Sequence, residues 1–214
     1  MGQIAILIDP EKPSVSLTER VNKLHSLGFY PNLVLLGGST GTLDSESVFD
    51  EADHWGLPVW LFPGNENQLT ARAKGLFLPV LISGRNAEML IGKHVAAARR
   101  IQSLSIPVRP MSYILIDGGK TTSVQRISKT QPLDPKDVET IVSTALAGEQ
   151  LGHVVTYLEA GSGALHHVPL SVIAAVREAV QTTLIVGGGL RSKETIEAVL
   201  AAGADIVVIG NALE

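Results

Sequence analysis

The chain has 214 residues, of which 45% are hydrophobic and 18% charged, with a formal net charge of −4 and no cysteine. This size and composition predict one globular domain over residues 1–214, and the mildly acidic charge gives no support to nucleic-acid binding. Disulfides and thiolate metal sites are excluded, and no apolar run approaches the ~20 residues that span a bilayer. We expect a cytoplasmic location, although a chain without cysteine is equally compatible with other compartments.

Short apolar runs rich in Ile, Val and Leu recur along the chain, and each ends at Gly, Asp or Pro. Their residues are continuously apolar and do not alternate with polar ones, which is typical of strands buried on both faces of a parallel sheet. We predict eight strands, at about residues 3–8, 32–36, 58–62, 76–82, 111–116, 153–158, 183–187 and 205–209.

Helical patterns separate most of these strands. We expect one helix to begin with Asp134 as its N-cap and Pro135 in its first turn, and the last helix to be capped by Ser192. The connection at 63–75 is too short for a regular returning helix, and the polar stretch 117–132 is predicted to be a long loop.

Eight strands alternating with helices predict a (β/α)8 barrel, with an open doubly wound sheet as the alternative. We expect the last barrel helix to be missing, because the chain stops just after the eighth strand.

In such barrels the active site lies at the carboxyl ends of the strands. Glycines follow strand 2, at Gly37-Gly38, and three later strands: Glu159 to Gly163 after strand 6, Gly187 to Gly189 after strand 7, and Gly210-Asn211 after strand 8. The last three form one group. Glycine lets backbone N–H groups approach an anion closely, and a phosphate commonly binds after strands 7 and 8. These loops therefore predict a phosphate site, although each could also serve only as a tight turn.

Asp9 and Ser39 follow strands 1 and 2, which are neighbours in a barrel. A carboxylate and a hydroxyl are hard oxygen ligands that suit Mg²⁺. The alternative is structural, with Asp9 forming a turn before Pro10 and Ser39 capping a helix. The six histidines are scattered, and we expect all of them on the surface or in loops.

Several motifs together resemble one family over nearly the whole chain. The segments ILIDPEK, LLGGSTG, LFPGN, ALAGEQLG, YLEAGSGA, IVGGGLRS and ADIVVIGNALE, in this order and spacing, closely resemble the geranylgeranylglyceryl phosphate synthases. These enzymes share a superfamily with the bacterial heptaprenylglyceryl phosphate synthases. The resemblance implies a modified (β/α)8 barrel whose third helix is replaced by an irregular segment, and a homo-oligomer, either a dimer or a hexamer.

The resemblance also implies a reaction, in which the C3 hydroxyl of sn-glycerol 1-phosphate attacks C1 of geranylgeranyl diphosphate. Glu159 would be the catalytic base, and Asp9 and Ser39 would hold Mg²⁺. Glycerol phosphate would be held by Tyr157, Leu158, Glu159, Ala160, Gly161, Ser162, Gly163, Gly188, Gly189, Gly210 and Asn211.

The long prenyl chain requires an apolar groove, and contact with a membrane would have to be peripheral. Candidate lining residues are Phe62, Leu76, Phe77, Leu78 and Leu81. The heptaprenyl branch has a lysine where this chain has Leu7, and reads YLEYSG where this chain reads YLEAGSG. Both features favour the geranylgeranyl branch, with a different prenyl length as the alternative. A phosphosugar isomerase of the same fold, without metal or groove, and a non-catalytic phosphate-binding barrel are further alternatives.

Overall fold

The computed structural model describes residues 2–9, 15–38, 46–210 and 212. Within them, eight parallel strands close into a barrel in chain order, so the predicted (β/α)8 barrel is confirmed and the open sheet is wrong. The strands are β1 (Gln3–Ile8), β2 (Leu33–Leu36), β3 (Val59–Leu61), β4 (Gly75–Val80), β5 (Val108–Leu115), β6 (Val155–Glu159), β7 (Thr183–Gly187) and β8 (Ile206–Ile209).

Seven α-helices occur in the described residues. They are α1 (Leu17–Ser26), α2 (Glu46–Trp55), α3 (Lys93–Ser103), α4 (Ser123–Ser128), α5 (Val138–Gln150), α6 (Leu170–Ala179) and α7 (Lys193–Ala201). A π-helical turn, Glu88–Gly92, leads directly into α3. Between β3 and β4 the chain forms only the 3-10 turn Glu66–Gln68, in agreement with the short connection expected there. None of the described helices is long and apolar enough to cross a bilayer.

The strands are apolar throughout because both of their faces are buried. On β5, Met111, Tyr113 and Leu115 point into the barrel, where they pack in the interior cluster. The intervening Ile114 packs in the outer layer between strands and helices. The same alternation on β6 places Tyr157 and Glu159 on the inward side, because successive side chains of a strand point to opposite faces. Glu159 is therefore the last residue of an inward-facing row, at the end of the barrel where active sites lie.

Two local predictions are wrong. Helix α5 begins at Val138 with Asp137 as N-cap, and the Asp137 carboxylate accepts from the backbone N–H of Thr140. Asp134 instead closes a turn, in which its Oδ1 accepts from the N–H of Lys136. The stretch 117–132 is not a continuous loop, because it contains α4.

The N-terminus of α4 is defined by a capping box. The hydroxyl of Thr122 accepts from the N–H of Gln125, and the Gln125 side chain returns a bond to the Thr122 backbone. The predicted cap of α7 is confirmed, since the Ser192 side chain accepts from the N–H of Thr195.

Candidate active site

A cavity of about 550 Å³ opens at the carboxyl end of the barrel. This volume is within the usual range for small-molecule sites. It brings together most of the site residues predicted from the sequence: Asp9, Tyr157, Glu159, Gly161, Ser162, Gly163, Gly188, Gly189 and Gly210. Leu158 and Ala160 do not line it, because their side chains face outward into the layer between strands and helices. Ser39 and Asn211 lie outside the described residues.

Glu159 is a buried carboxylate at the inner wall of this cavity. It is only 6% exposed, and its Oε1 accepts a hydrogen bond of 2.6 Å from the backbone N–H of Gly161. Within the described residues, no cationic side chain lies within 4.0 Å of the carboxylate. Burial raises the pKa of Glu159 above its ordinary value, and the neighbouring hydroxyl of Tyr157 and the bond from Gly161 oppose that shift only in part. A carboxylate with a raised pKa is a stronger base than an ordinary glutamate.

The loops after β6 and β7 meet against this carboxylate. In the barrel, Glu159 is the register partner of Gly187, so the two loops leave the sheet side by side. Gly188 has φ +86°, and a Cβ at this position would lie 2.6 Å from the Gly161 nitrogen and 2.7 Å from Glu159 Oε1. Only glycine combines that backbone conformation with so close an approach. The two loops therefore pack closely against each other, and their backbone lines the part of the cavity beside the carboxylate, which we call the recess.

Three aromatic rings form the floor of the cavity beneath Glu159. The rings of Tyr113 and Tyr157 meet edge to face with centroids 5.3 Å apart, and Phe62 contacts both. The hydroxyl of Tyr157 is fully buried and has no hydrogen-bond partner among the described residues. Burial, reinforced by the nearby Glu159, raises the pKa of Tyr157 well above its ordinary value, so the phenol keeps its proton. This proton can be donated to the neighbouring carboxylate of Glu159 or to a bound ligand.

An apolar arm extends from the polar recess along the outer side of β4. It is bounded by Leu78 from β4, by Leu69 near the 3-10 turn, and by Ala97 and Ile101 from α3. Of the predicted groove residues, Phe62, Leu78 and Leu81 line the cavity. Leu76 and Phe77 do not: Leu76 packs in the outer core, and Phe77 points into the barrel, where it stacks on Trp60 at 4.8 Å between centroids.

Asp9 faces the same cavity at the end of β1. Its carboxylate lies against Gly38, where a Cβ would come within 2.2 Å of Oδ1. The described residues contain no cluster of three or more His, Asp or Glu side chains that could hold a metal ion. A single carboxylate nevertheless fits Mg²⁺, which binds proteins through one or two carboxylates and completes its shell with water and substrate phosphate oxygens.

Some lining residues were not singled out from the sequence. Lys93 and His94 reach the cavity from the start of α3, and Arg191 reaches it from the loop after β7. The expectation that all histidines lie on the surface or in loops is wrong for His94, which sits half-buried on a helix. His153 lies in a loop as expected, partly buried, with Nδ1 2.8 Å from the hydroxyl of Ser112. Arg191 could have been found from the sequence, because it belongs to the motif IVGGGLRS. Lys93 could not, because it follows a π-helical turn that has no clear sequence signal.

The arrangement can hold an anion, an alcohol and a long apolar chain at once. The glycine loops offer backbone N–H groups to an anion, and the buried carboxylate can accept a proton from a hydroxyl a few atoms away from that anion. The apolar arm can bury a hydrocarbon chain. Among the described residues, three carboxylates line the cavity: Asp9, Glu66 and Glu159. A phosphorylated ligand near them would therefore benefit from a bound cation.

Comparison with known proteins connects this geometry to one family. Residues 3–214 match the family model described as the PcrB family. A geranylgeranylglyceryl phosphate synthase from Zunongwangia profunda is 42% identical, covering 99% of this chain and 90% of the relative. The corresponding synthase from Pyrococcus furiosus is 35% identical, covering 98% and 83%.

A solved structure shows the same fold with a ligand bound. The (S)-3-O-geranylgeranylglyceryl phosphate synthase from Thermoplasma acidophilum, in complex with its substrate sn-glycerol-1-phosphate, superposes with a TM-score of 0.85 at 30% sequence identity. The match covers 99% of this chain and 86% of that one.

Proposed function

The chain belongs to the PcrB family, and on that premise we propose that it joins the C3 hydroxyl of sn-glycerol 1-phosphate to geranylgeranyl diphosphate. The products are geranylgeranylglyceryl phosphate and diphosphate, so the protein is a prenyltransferase of ether-lipid biosynthesis. The observation that carries the proposal is the buried carboxylate of Glu159, which lies between glycine loops suited to a phosphate and an apolar arm suited to a prenyl chain.

In this reaction the glycerol phosphate binds with its phosphate in the recess formed by the loops after β6 and β7. Contact between that phosphate and Glu159 would be repulsive, so the three-carbon backbone separates the two groups. The C3 hydroxyl then faces the carboxylate. The orphan hydroxyl of Tyr157 is positioned beneath Glu159 and supplies one further donor, which helps to orient the polar substrate.

The chemical step forms a C–O bond at C1 of the prenyl chain and breaks the C–O bond to diphosphate. The proton of the attacking hydroxyl passes to the carboxylate of Glu159. The raised pKa of Glu159 favours this transfer, and proton removal becomes easier as C1 gains cationic character. The aromatic and apolar walls of the cavity limit the access of water, which would otherwise compete as the nucleophile.

We propose Mg²⁺ as the cofactor, with Asp9 as one ligand and Ser39 as another. When bound, the ion supplies positive charge to the diphosphate leaving group. EDTA should lower activity by at least ~10-fold and added Mg²⁺ should restore it. Ser39→Ala should weaken the Mg²⁺ response, whereas an unchanged metal titration would argue against Ser39 as a ligand. A phosphosugar isomerase of the same fold would be insensitive to EDTA.

The decisive assay uses radiolabelled sn-glycerol 1-phosphate with prenyl diphosphates of 15, 20 and 35 carbons. We expect a lipid-soluble product with the 20-carbon substrate at the highest kcat/KM. A preference for the 35-carbon substrate would keep the reaction and change the assigned chain length. Absence of product with all three would contradict the proposed function.

A cytoplasmic location and assembly into dimers or hexamers belong to the same proposal, and light scattering after size-exclusion chromatography tests the assembly.

A further inference from the structure

Lys93 lies where the polar and apolar parts of the cavity meet. It is the first residue of α3, it is half-buried, and it lines the cavity together with Ala97 and Ile101 of the same helix. Its Nζ donates a hydrogen bond of 2.8 Å to the backbone carbonyl of Gly64, in the loop after β3. An ammonium group has three donors, so two remain for a ligand.

The π-helical turn before α3 explains why Lys93 faces the cavity. The N–H of Lys93 bonds to the carbonyl of Glu88, five residues earlier, instead of the usual four. Such a turn rotates the rest of the helix about its axis, and π-turns are frequent at functional sites. In the resulting register Lys93, Ala97 and Ile101 follow one another at intervals of four residues. The turn therefore places one charge at the open end of an otherwise apolar stripe.

A short series of contacts connects Lys93 to the end of β1. Gln68 is fully buried, and its Oε1 accepts from the N–H of Gly64 at 2.9 Å and from the N–H of Gly38 at 3.3 Å. Gly38 in turn lies against the carboxylate of Asp9. The loops after β2 and β3 are thus held together by one side chain, with Asp9 on one side and Lys93 on the other.

Lys93 and Arg191 are both cationic side chains of the cavity lining, and they lie at different ends of the cavity. Among the described lining residues, no other lysine or arginine occurs. Arg191 Nη2 donates to the carbonyl of Ala164 at 2.7 Å, beside the glycine loops. Lys93 lies at the other end, and no carboxylate of the described residues comes within 4.0 Å of its Nζ. A half-buried ammonium group whose partner among the described residues is one backbone carbonyl is suited to an anionic ligand.

We propose that Lys93 binds the diphosphate group of the prenyl substrate and so positions C1 in front of Glu159. This inference rests on the proposed function. A prenyl diphosphate has its charge at one end of a long apolar chain, and the stripe formed by Lys93, Ala97 and Ile101 repeats that order. With the chain in the apolar arm, the diphosphate lies between Lys93 and Asp9, on the opposite side of C1 from the attacking hydroxyl. Lys93 is a binding residue here, and it takes no part in proton transfer.

The test measures binding as well as catalysis. Inorganic pyrophosphate is titrated calorimetrically into the protein in the presence of MgCl₂, for the wild type and for Lys93→Met, which keeps much of the side-chain length without the charge. We expect Lys93→Met to bind pyrophosphate at least ~10-fold more weakly, because it loses a charge-assisted contact. The KM for geranylgeranyl diphosphate should rise by a similar factor, while the KM for glycerol phosphate stays within about twofold.

Two further variants separate this role from a structural one. Lys93→Arg retains the charge and should recover part of the pyrophosphate affinity. Arg99→Gln removes a charge from an exposed position of α3 that does not line the cavity, and it should leave pyrophosphate binding and both KM values unchanged. Thermal unfolding of each variant shows whether the loop carrying Gly64 has been disturbed.

Several outcomes would overturn the proposal. One is a folded Lys93→Met protein with unchanged pyrophosphate affinity and an unchanged KM for the prenyl substrate. Another is an equal rise of both KM values with a lowered Tm, which would indicate a structural role. A wild type that does not bind pyrophosphate at all would also overturn it. A wild type that binds pyrophosphate through Lys93 but forms no ether would instead contradict the proposed function and leave Lys93 as an anion-binding residue.

Discussion

Two carboxylates at opposite ends of the barrel differ in their exposure to solvent and in whether a cationic side chain pairs with them. Asp205, just before β8, is half exposed, and its Oδ2 accepts from Arg177 at 3.0 Å and from the N–H of Leu184 at 2.8 Å. Glu159, at the far end of β6, is 6% exposed and accepts from the N–H of Gly161. The solvated carboxylate has a cationic partner. The buried one has none among the described residues.

This difference separates a stabilising end of the barrel from a reactive one. A paired, solvated carboxylate contributes to stability at little desolvation cost, whereas a buried carboxylate without a cation is destabilising in its charged form. At the reactive end, the glycine with a left-handed backbone at Gly188 and the orphan hydroxyl of Tyr157 add to that cost. Such local costs concentrate at functional sites. We therefore expect substitutions at the two ends to have opposite consequences for activity and stability.

The largest expected effect is the loss of activity in Glu159→Gln. The amide preserves the size and the hydrogen bond from Gly161 but cannot accept the proton, so kcat should fall by about 10²–10⁴-fold, the usual contribution of a general base. The fold should persist. Single-turnover assays with labelled glycerol phosphate measure the change, and titration with glycerol phosphate shows whether binding survives.

Asp205→Asn provides the matched control for Glu159→Gln at the opposite end. It removes one carboxylate charge far from the cavity and should leave kcat within about twofold, since remote surface sites rarely alter the chemical step. Near-normal turnover in Glu159→Gln would remove Glu159 from the proposed mechanism.

The next largest effect is expected for Gly188→Ala. A Cβ here would collide with the Gly161 nitrogen and with Glu159 Oε1, at a φ of +86° that L-residues rarely adopt. The loops after β6 and β7 must separate, so the KM for glycerol phosphate should rise by about 10-fold or more and stability should fall by about 1–3 kcal/mol. Steady-state kinetics and urea unfolding measure the two quantities.

Gly56→Ala separates backbone strain from the collision. Gly56 also has a positive φ, +65°, but nothing lies within 4 Å of its added Cβ. The control should lose stability by a comparable backbone cost and keep its KM. If both variants bind glycerol phosphate equally well, the recess beside Gly188 is not the phosphate site.

The barrel and the main parts of its rim could be predicted from the sequence because both depend on local patterns. Continuous apolar runs predict strands buried on both faces, and the glycine-rich segments that follow them predict the rim. The helix α4 within 117–132 also has a sequence signal, because Thr122 and Gln125 have the spacing of a capping box. Asp134 followed by Pro135 predicts a cap, but Asp137 also precedes an apolar segment and forms the cap instead.

Other features depend on tertiary packing and have no local signal. The π-helical turn Glu88–Gly92, whose hydrogen bond reaches one residue further back than in an α-helix, sets the register in which Lys93 begins α3. Leu76 and Phe77 share the apolar character of Leu78, and only the closure of the barrel determines which of the three reaches the groove. The depth at which Glu159 is buried, and therefore the direction of its pKa shift, also follows from the assembled barrel.

At the stabilising end, Arg177→Met should reduce stability without changing catalysis. The guanidinium of Arg177 binds Asp205 and donates to the carbonyls of Val180 and Thr182, joining α6 to the strand that follows it. Losing these bonds should cost about 1–3 kcal/mol. Urea unfolding measures the change, and kcat per folded molecule should stay within about twofold. A large fall in kcat would contradict the separation of the two ends.

The smallest effect we expect is a pH-dependent gain of stability in Glu159→Gln. Burial raises the pKa of Glu159 in the folded protein above its ordinary value of 4.5. Below that value both folded and unfolded chains hold the proton, and the wild type and variant should differ little with pH. As the pH rises, the unfolded chain releases the proton first, so the wild type loses stability until the folded protein releases it too.

The variant has no such proton to lose, so its Tm relative to the wild type should rise with pH above 4.5 and level off above the folded pKa of Glu159. Glu178→Gln, at an exposed position of α6 that does not line the cavity, serves as the control for the loss of one carboxylate charge. Differential scanning calorimetry of the three proteins at matched ionic strength between about pH 4 and pH 8 measures the trend. A constant or falling difference would mean that the charged form of Glu159 is stabilised in the folded protein, and the contrast between the two carboxylates would then be lost.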